Sequence, residues 1–187
     1  MKSVLISIHP KWCELIAAGI KTDELRKSKP KLDLPFKCYI YQTKHKWLYD
    51  LLIRFDRLRT AQILADGLCK VIGEFVCDEI KRVHFNSLEK ETICQLAIGN
   101  GNAEWYKGSC VSYKDAYKYL RTAKKAYAWH ISNLAIYDKP KLLTDFTVRE
   151  CLWHNIRNNG CIDASGERCY DCRLKRPPQS WCHVEEV

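Results

Sequence analysis

No apolar run in this chain approaches the ~18 residues a membrane span requires, and no basic amphipathic stretch offers a surface anchor. The N-terminus, Met1-Lys2-Ser3-Val4, begins a short strand-like run, with neither the apolar core nor the cleavage site of a secretory signal. A reducing, cytoplasmic setting is therefore expected, and the 11 cysteines are read as thiols or metal ligands rather than as a disulfide framework. Also missing are internal repeats and the low-hydrophobicity signature of disorder, since 47% of residues are hydrophobic and 28% charged. At 187 residues the chain is long enough for one real core and short for two, so a single domain over 1–187 with insertions is expected.

What the sequence has in excess is positive charge. Lysine and arginine number 31 against 22 acids, a formal net of +9, which attracts phosphate backbones or acidic surfaces. Dispersed lysines that only keep a protein soluble give the same arithmetic, so charge alone does not name a partner.

Val4 to Ile8 reads as a buried first strand, and His9-Pro10 starts a helix carrying Trp12, Leu15 and Ile16 that stops at Gly19. The segment 21–26 is a charged strand, followed by a Lys/Pro-rich loop through Pro30 and Pro35. Phe36 to Thr43 is the next strand by its aromatic and β-branched content. Helical spacing of Trp47, Leu51 and Phe55 marks residues 45–67 as a helical insertion. Lys70 to Cys77 continues as strand into 80–83, helices follow over 87–98 and 112–124, and Tyr127 to Tyr137 reads as one long strand ended by Lys139-Pro140. Trp181 lies in a final strand. Strands broken by grouped helices indicate an α+β fold with a small mixed or antiparallel sheet.

The most informative stretch is Lys21-Thr22-Asp23-Glu24-Leu25-Arg26. Alternation places Glu24 and Arg26 on one face, with Lys21 in the turn before them, so these three are expected to converge. Glu74 interrupts an apolar strand, sharing its side with Ile72 and Val76. A carboxylate there is costly unless paired, and Lys21 or Arg26 is its expected partner. The competing reading is a solvated, charged edge strand of the kind that blocks edge-to-edge pairing.

Gly19-x-Lys21-x-x-Glu24-x-Arg26, preceded by strand and helix, resembles the G-x-K-x-x-E-x-R signature of ASCH-domain proteins, and every fixed position matches. The opening 4–10 segment, the Val71-Ile72-Gly73-Glu74 strand and the closing stretches around Tyr127-Ala128-Trp129 and Ser180-Trp181 are similar to longer, phage-like members. The resemblance implies a small mixed β-barrel of the PUA-like kind, with a cleft for RNA or a modified nucleotide. In that cleft Lys21 and Arg26 would hold phosphate and Tyr41 or Trp129 would stack a base, with Glu24 and Glu74 among the lining residues. Some small members are amidohydrolases of acylated cytidine that work with a lysine, a threonine and a glutamate. Here Lys21 matches the lysine, Glu74 the glutamate, and Glu24 stands at the threonine position. An alternative function is therefore a nucleoside amidohydrolase or ribonuclease, with Lys21 carrying a proton and Glu24 or Glu74 activating water.

Residues 149–176 form a second insertion. Cys151, His154, Cys161, Cys169 and Cys172 are set among Asn, Gly, Asp and Ser, a composition with no core of its own, so structural zinc is the natural ordering device. Cys169-x-x-Cys172 is one half-site; the other is Cys161 with either Cys151 or His154. Unrelated reduced thiols or a redox pair are the competing reading. Arg173, Lys175 and Arg176 add charge beside it, suited to phosphate. A third function follows from the insertions themselves, a phage-type regulatory module whose knuckle and helices bind another protein.

Overall fold

The computed structural model describes residues 2–44, 67–83, 108–120, 125–148 and 172–186. The helical insertion at 45–66, the expected helix at 87–98 and the Cys-rich stretch 149–171 lie outside the described residues.

The chain opens with β1 (Ser3–Ile8) and α1 (Pro10–Ala17). His9 caps the helix, its Nδ1 accepting from the Lys11 amide at 3.3 Å, and Pro10 fills the first helical position where no amide is needed. The helix ends in a Schellman motif. Gly19, at φ +70°, lets its own amide reach the Ile16 carbonyl and the Ile20 amide reach that of Leu15. That left-handed turn reverses the chain and delivers Lys21 to the start of β2 (Asp23–Arg26).

Next come β3 (Phe36–Gln42), β4 (Val71–Cys77) and β5 (Ile80–Val83), then α2 (Tyr113–Leu120), β6 (Ala126–His130) and β7 (Ser132–Lys141). A short 3₁₀ turn at Leu143–Asp145 leads to β8 (Phe146–Val148), and β9 (Trp181–Glu186) closes the series. Six strands form a mixed sheet in the order β7-β4-β3-β1-β9-β8, in which β1 and β3 are parallel, and three form an antiparallel sheet in the order β2-β6-β5. The fold is α+β and mostly sheet, as expected, but among the described residues these strands do not close into a barrel. Among the same residues no ladder joins the two sheets.

The chain instead passes from one sheet to the other four times, and two of these crossings interrupt runs that read as continuous in sequence. The expected continuous strand 127–137 is broken at Ile131, whose amide bonds the Thr22 carbonyl, and Asn133 adopts φ +46°. Residues before the break pair with β2 and β5; those after it pair with β4. The run 70–83 divides in the same way at Asp78 and Glu79. Pro140 does not end β7, because β7 is an edge strand whose outer amides need no partner, and Lys141 still pairs with Val71.

Val4, Ile6, Ile8, Cys13, Ile16, Cys38, Ile40, Phe75 and Trp129 fill the space between α1, the six-stranded sheet and the three-stranded sheet. Leu5, Tyr39, Tyr41, Val71 and Phe146 pack on the opposite face of the six-stranded sheet. A third cluster joins Leu25 and Val83 to Ala116 and Leu120 of α2. Each fully buried aliphatic or aromatic side chain contributes roughly 1.5–3 kcal/mol, so the first cluster is the main stabilising element.

Candidate functional site

The charged strand is buried. Lys21 is 2% exposed, Glu24 6% and Arg26 5%, values that exclude a solvated edge. β2 lies at the edge of its sheet, with α2 packed over one face through Leu25 and the first core cluster against the other.

Glu24 stands between two cations, its Oε2 3.2 Å from Lys21 Nζ and its Oε1 3.0 Å from Arg26 Nη2. Charges removed from water this completely need further partners, and both cations have them. Lys21 donates to the carbonyls of Asp23 at 2.7 Å and Ser109 at 2.6 Å. Arg26 donates to the carbonyl of Ser7 at 2.7 Å and, at 3.3 and 3.4 Å, to the carbonyl and hydroxyl of Ser180. Lys21, Glu24 and Arg26 converge as the alternation requires, and the group ties β1, β2, the 108–110 turn and the start of β9 together.

Aromatic residues rim this group. Trp12, half-buried on α1, lies 5.3 Å beneath Lys21 Nζ and 4.6 Å from Lys11 Nζ. Tyr119 of α2 is 40% exposed and carries Lys27 Nζ over its ring at 4.9 Å. Burial pushes the Tyr119 phenol up, while the Arg26 guanidinium nearby works in the other direction. Sequence reasoning missed Tyr119, Ser109, Ser180 and this role of Trp12, because the contacts that gather them span most of the chain. The helical spacing of Trp12 was visible; its neighbour Lys21 was not.

The other expected members stand elsewhere. Trp129 faces Glu24 across the β2/β6 register but is wholly buried, its ring packed edge-on against Phe36 at 5.7 Å and tilted against Trp181 at 6.1 Å. Its ring faces meet core, not a base. Tyr41, 5% exposed, belongs to the cluster on the far face of the six-stranded sheet, where burial and then Cys69 push its phenol up to about 12.

Glu74 is on that far face too. A register irregularity opposite Ile40 and Tyr41 leaves Ile72 as an extra residue, which turns Ile72 into the first cluster while Glu74 pairs beside Tyr39. The carboxylate accepts from Lys37 Nζ at 2.8 Å and the Tyr137 hydroxyl at 2.6 Å, so its cation is Lys37 rather than Lys21 or Arg26. Burial works to raise the Glu74 carboxyl. The hydrogen bonds from Lys37 and Tyr137 and the charges of Lys37 and Lys141 outweigh it, holding the group below the ordinary range.

Asp23 points away from Glu24, opposite His130 in the β2/β6 register. It is 6% exposed, its Oδ1 has no hydrogen-bond partner, and Gly108 approaches so closely that any side chain there would collide with the carboxylate. Burial pushes this carboxyl up, against the pull of His130, Lys81, Thr22 and Lys21. His130 itself is bonded to Asp78 at 2.7 Å.

Of the expected zinc ligands only Cys172 lies among the described residues, and it is buried; Cys151, His154, Cys161 and Cys169 lie outside them. Among the described residues no group of three or more His, Cys, Asp or Glu side chains is arranged to hold a metal, no disulfide forms, and no helix is long and apolar enough to cross a membrane.

Comparison with known proteins agrees with the fold. The chain is similar to two solved structures of the ASCH protein from Zymomonas mobilis. A tyrosine-to-phenylalanine variant matches at 17% identity and a TM-score of 0.55, covering 99% of this chain and 91% of that one. A serine-to-alanine variant matches at 17% identity and 0.54, covering 98% and 89%. No protein-family model and no curated protein matches. At this identity the likeness establishes the fold, which is that of an ASCH domain.

Proposed function

We propose that this ASCH-fold chain is a binding module for RNA or a modified nucleotide, which it meets over the rim formed by Trp12, Tyr119 and Lys27. One observation carries the reading: partly exposed aromatic rings and lysine ammonium groups stand together above a buried Lys21–Glu24–Arg26 ionic floor. Rings offer stacking to any base, and lysines offer charge to phosphate. The Lys21 ammonium and both terminal nitrogens of Arg26 are engaged by the protein, so their part is to hold the rim in place and to leave one net positive charge beneath it. The formal charge of +9 assists encounter with a polyanion.

Fluorescence anisotropy with a labelled single-stranded RNA tests this. Wild type is expected to bind in low salt, with Tyr119→Ala weakening affinity about 5- to 150-fold, the span of one base-stacking contact. Absence of binding at low salt overturns the reading.

The 3.2 Å contact between Lys21 and Glu24 favours one enzymatic alternative, an amidohydrolase or ribonuclease in which that pair moves the proton. Glu74, bonded to Lys37 and Tyr137, takes no part in it. Product formed from acylated cytidine or RNA by wild type and equally by a folded Lys21→Met variant rejects this alternative.

The Cys-rich insertion is proposed to hold structural zinc through Cys161, Cys169, Cys172 and either Cys151 or His154. The Cys-x-x-Cys spacing and the coreless composition support it.

A further inference from the structure

Two basic loops meet beside the rim. Residues 27–35, between β2 and β3, expose Lys27, Lys29 and Lys31, with Asp33 the sole acid. Residues 173–180, leading into β9, expose Lys175 and Arg176 and contain no acid. These loops are far apart in sequence, yet hydrogen bonds fix them side by side. Trp181 Nε1 donates to Ser28 Oγ at 3.1 Å, joining the first loop to the end of the second. Arg26, the residue from which the first loop departs, donates to Ser180. The Ser7 hydroxyl donates to the Pro178 carbonyl at 2.6 Å and holds the second loop down on β1.

Between them lies Trp181, half-buried, with one side packed on Trp129 and its edge near His183 at 5.6 Å. Lys27 begins the first loop and sits over Tyr119, so the basic surface is continuous with the rim.

We propose that the two loops form a backbone track for single-stranded RNA, with phosphates on Lys29, Lys31, Lys175 and Arg176 and the strand continuing past Trp181 to the rim at Tyr119. The proposal rests on the nucleic-acid reading above and adds the strand's path and its single-stranded character. Cations interleaved with partly exposed rings suit a strand whose bases are unstacked; a duplex keeps its bases stacked and presents only its backbone to such a surface. The anchoring matters as well. Loops pinned by Ser28, Ser180 and Pro178 present their charges from a held backbone, so a complex loses less loop freedom on forming.

The test measures binding of the whole chain to a labelled oligouridine across a salt series, beside an RNA hairpin and with polyglutamate as competitor. Each phosphate contact on a single strand contributes about −0.7 to the slope of log K against log salt. Lys29→Gln/Lys31→Gln and Lys175→Gln/Arg176→Gln are each expected to lower the slope magnitude by about 1.4, with a cooperative melting curve showing that each variant is folded. Wild-type binding that both double variants retain with unaltered slope overturns the track and leaves the nucleic-acid reading standing. Failure of wild type to bind any RNA overturns both. Tighter binding to the hairpin than to oligouridine rejects the single-strand assignment, and full displacement by polyglutamate at equal charge concentration makes the partner an acidic peptide instead.

Discussion

Arg26 donates through Nη2 to the carbonyl oxygen of Ser7 at 2.7 Å, so a charged side chain on the small sheet is bonded to the backbone of a central strand of the large one. With no ladder between the sheets among the described residues, this bond and the Ser180 bonds beside it join the first core cluster in holding them face to face. Specificity of geometry is what a buried ionic group supplies best, since its net contribution to stability is small once desolvation is counted.

Removing the anion from that group leaves two cations in the core. Glu24→Ala is expected to cost about 3–5 kcal/mol in urea denaturation, the range for breaking a buried pair from one side. A loss under 1 kcal/mol would mean the group is solvated.

Asp23 is expected to behave in the opposite sense. Its folded carboxyl titrates above the unfolded one, so the folded state binds the proton more tightly, and stability falls as pH rises through the folded value. Asp23→Asn removes that penalty. Thermal melts should show the variant more stable than wild type at pH 7, with the gap closing toward pH 4; a variant less stable at pH 7 refutes the assignment.

Glu74 gives the usual carboxylate sign. Its folded value is depressed, so its contribution is present above the unfolded value near pH 4.3 and disappears as pH falls through the folded one. Partial exposure of both partners limits the effect to about 1 kcal/mol. Glu74→Gln should lower the melting temperature at pH 7 and match wild type near pH 2.5; an equal deficit at both pH values would point to packing instead.

Trp129→Phe separates core from ligand contact. Trimming a wholly buried indole should cost about 1–3 kcal/mol, less than truncation to alanine, and leave RNA affinity within about twofold. Affinity that falls far more than stability would return Trp129 to the binding surface.

Zinc is expected at one equivalent per chain by elemental analysis after purification without chelator. Cys169→Ser should lose it, while Cys182→Ser, on β9 and half-buried, should retain it. Chains with no bound metal, and a melting curve indifferent to chelator, would remove zinc from the account.

Local chemistry determined much of this protein. His9-Pro10 and Gly19 bounded α1, β-branched and aromatic runs marked most described strands, and two-residue alternation put Glu24 and Arg26 on one face because pleating leaves no choice. Tertiary structure alone decided which sheet each run joined and whom each charge met. Strands 126–130 and 132–141 are nearly continuous in sequence yet pair with different partners, since pairing depends on distant edges. One extra residue, Ile72, carried Glu74 to the far face and to Lys37, an outcome that residue spacing cannot encode because a bulge is set by the partner strand's register. The rim of Trp12, Tyr119 and Lys27 likewise exists only when α1, α2 and the loop after β2 are packed together, for no local rule links residues so far apart along the chain.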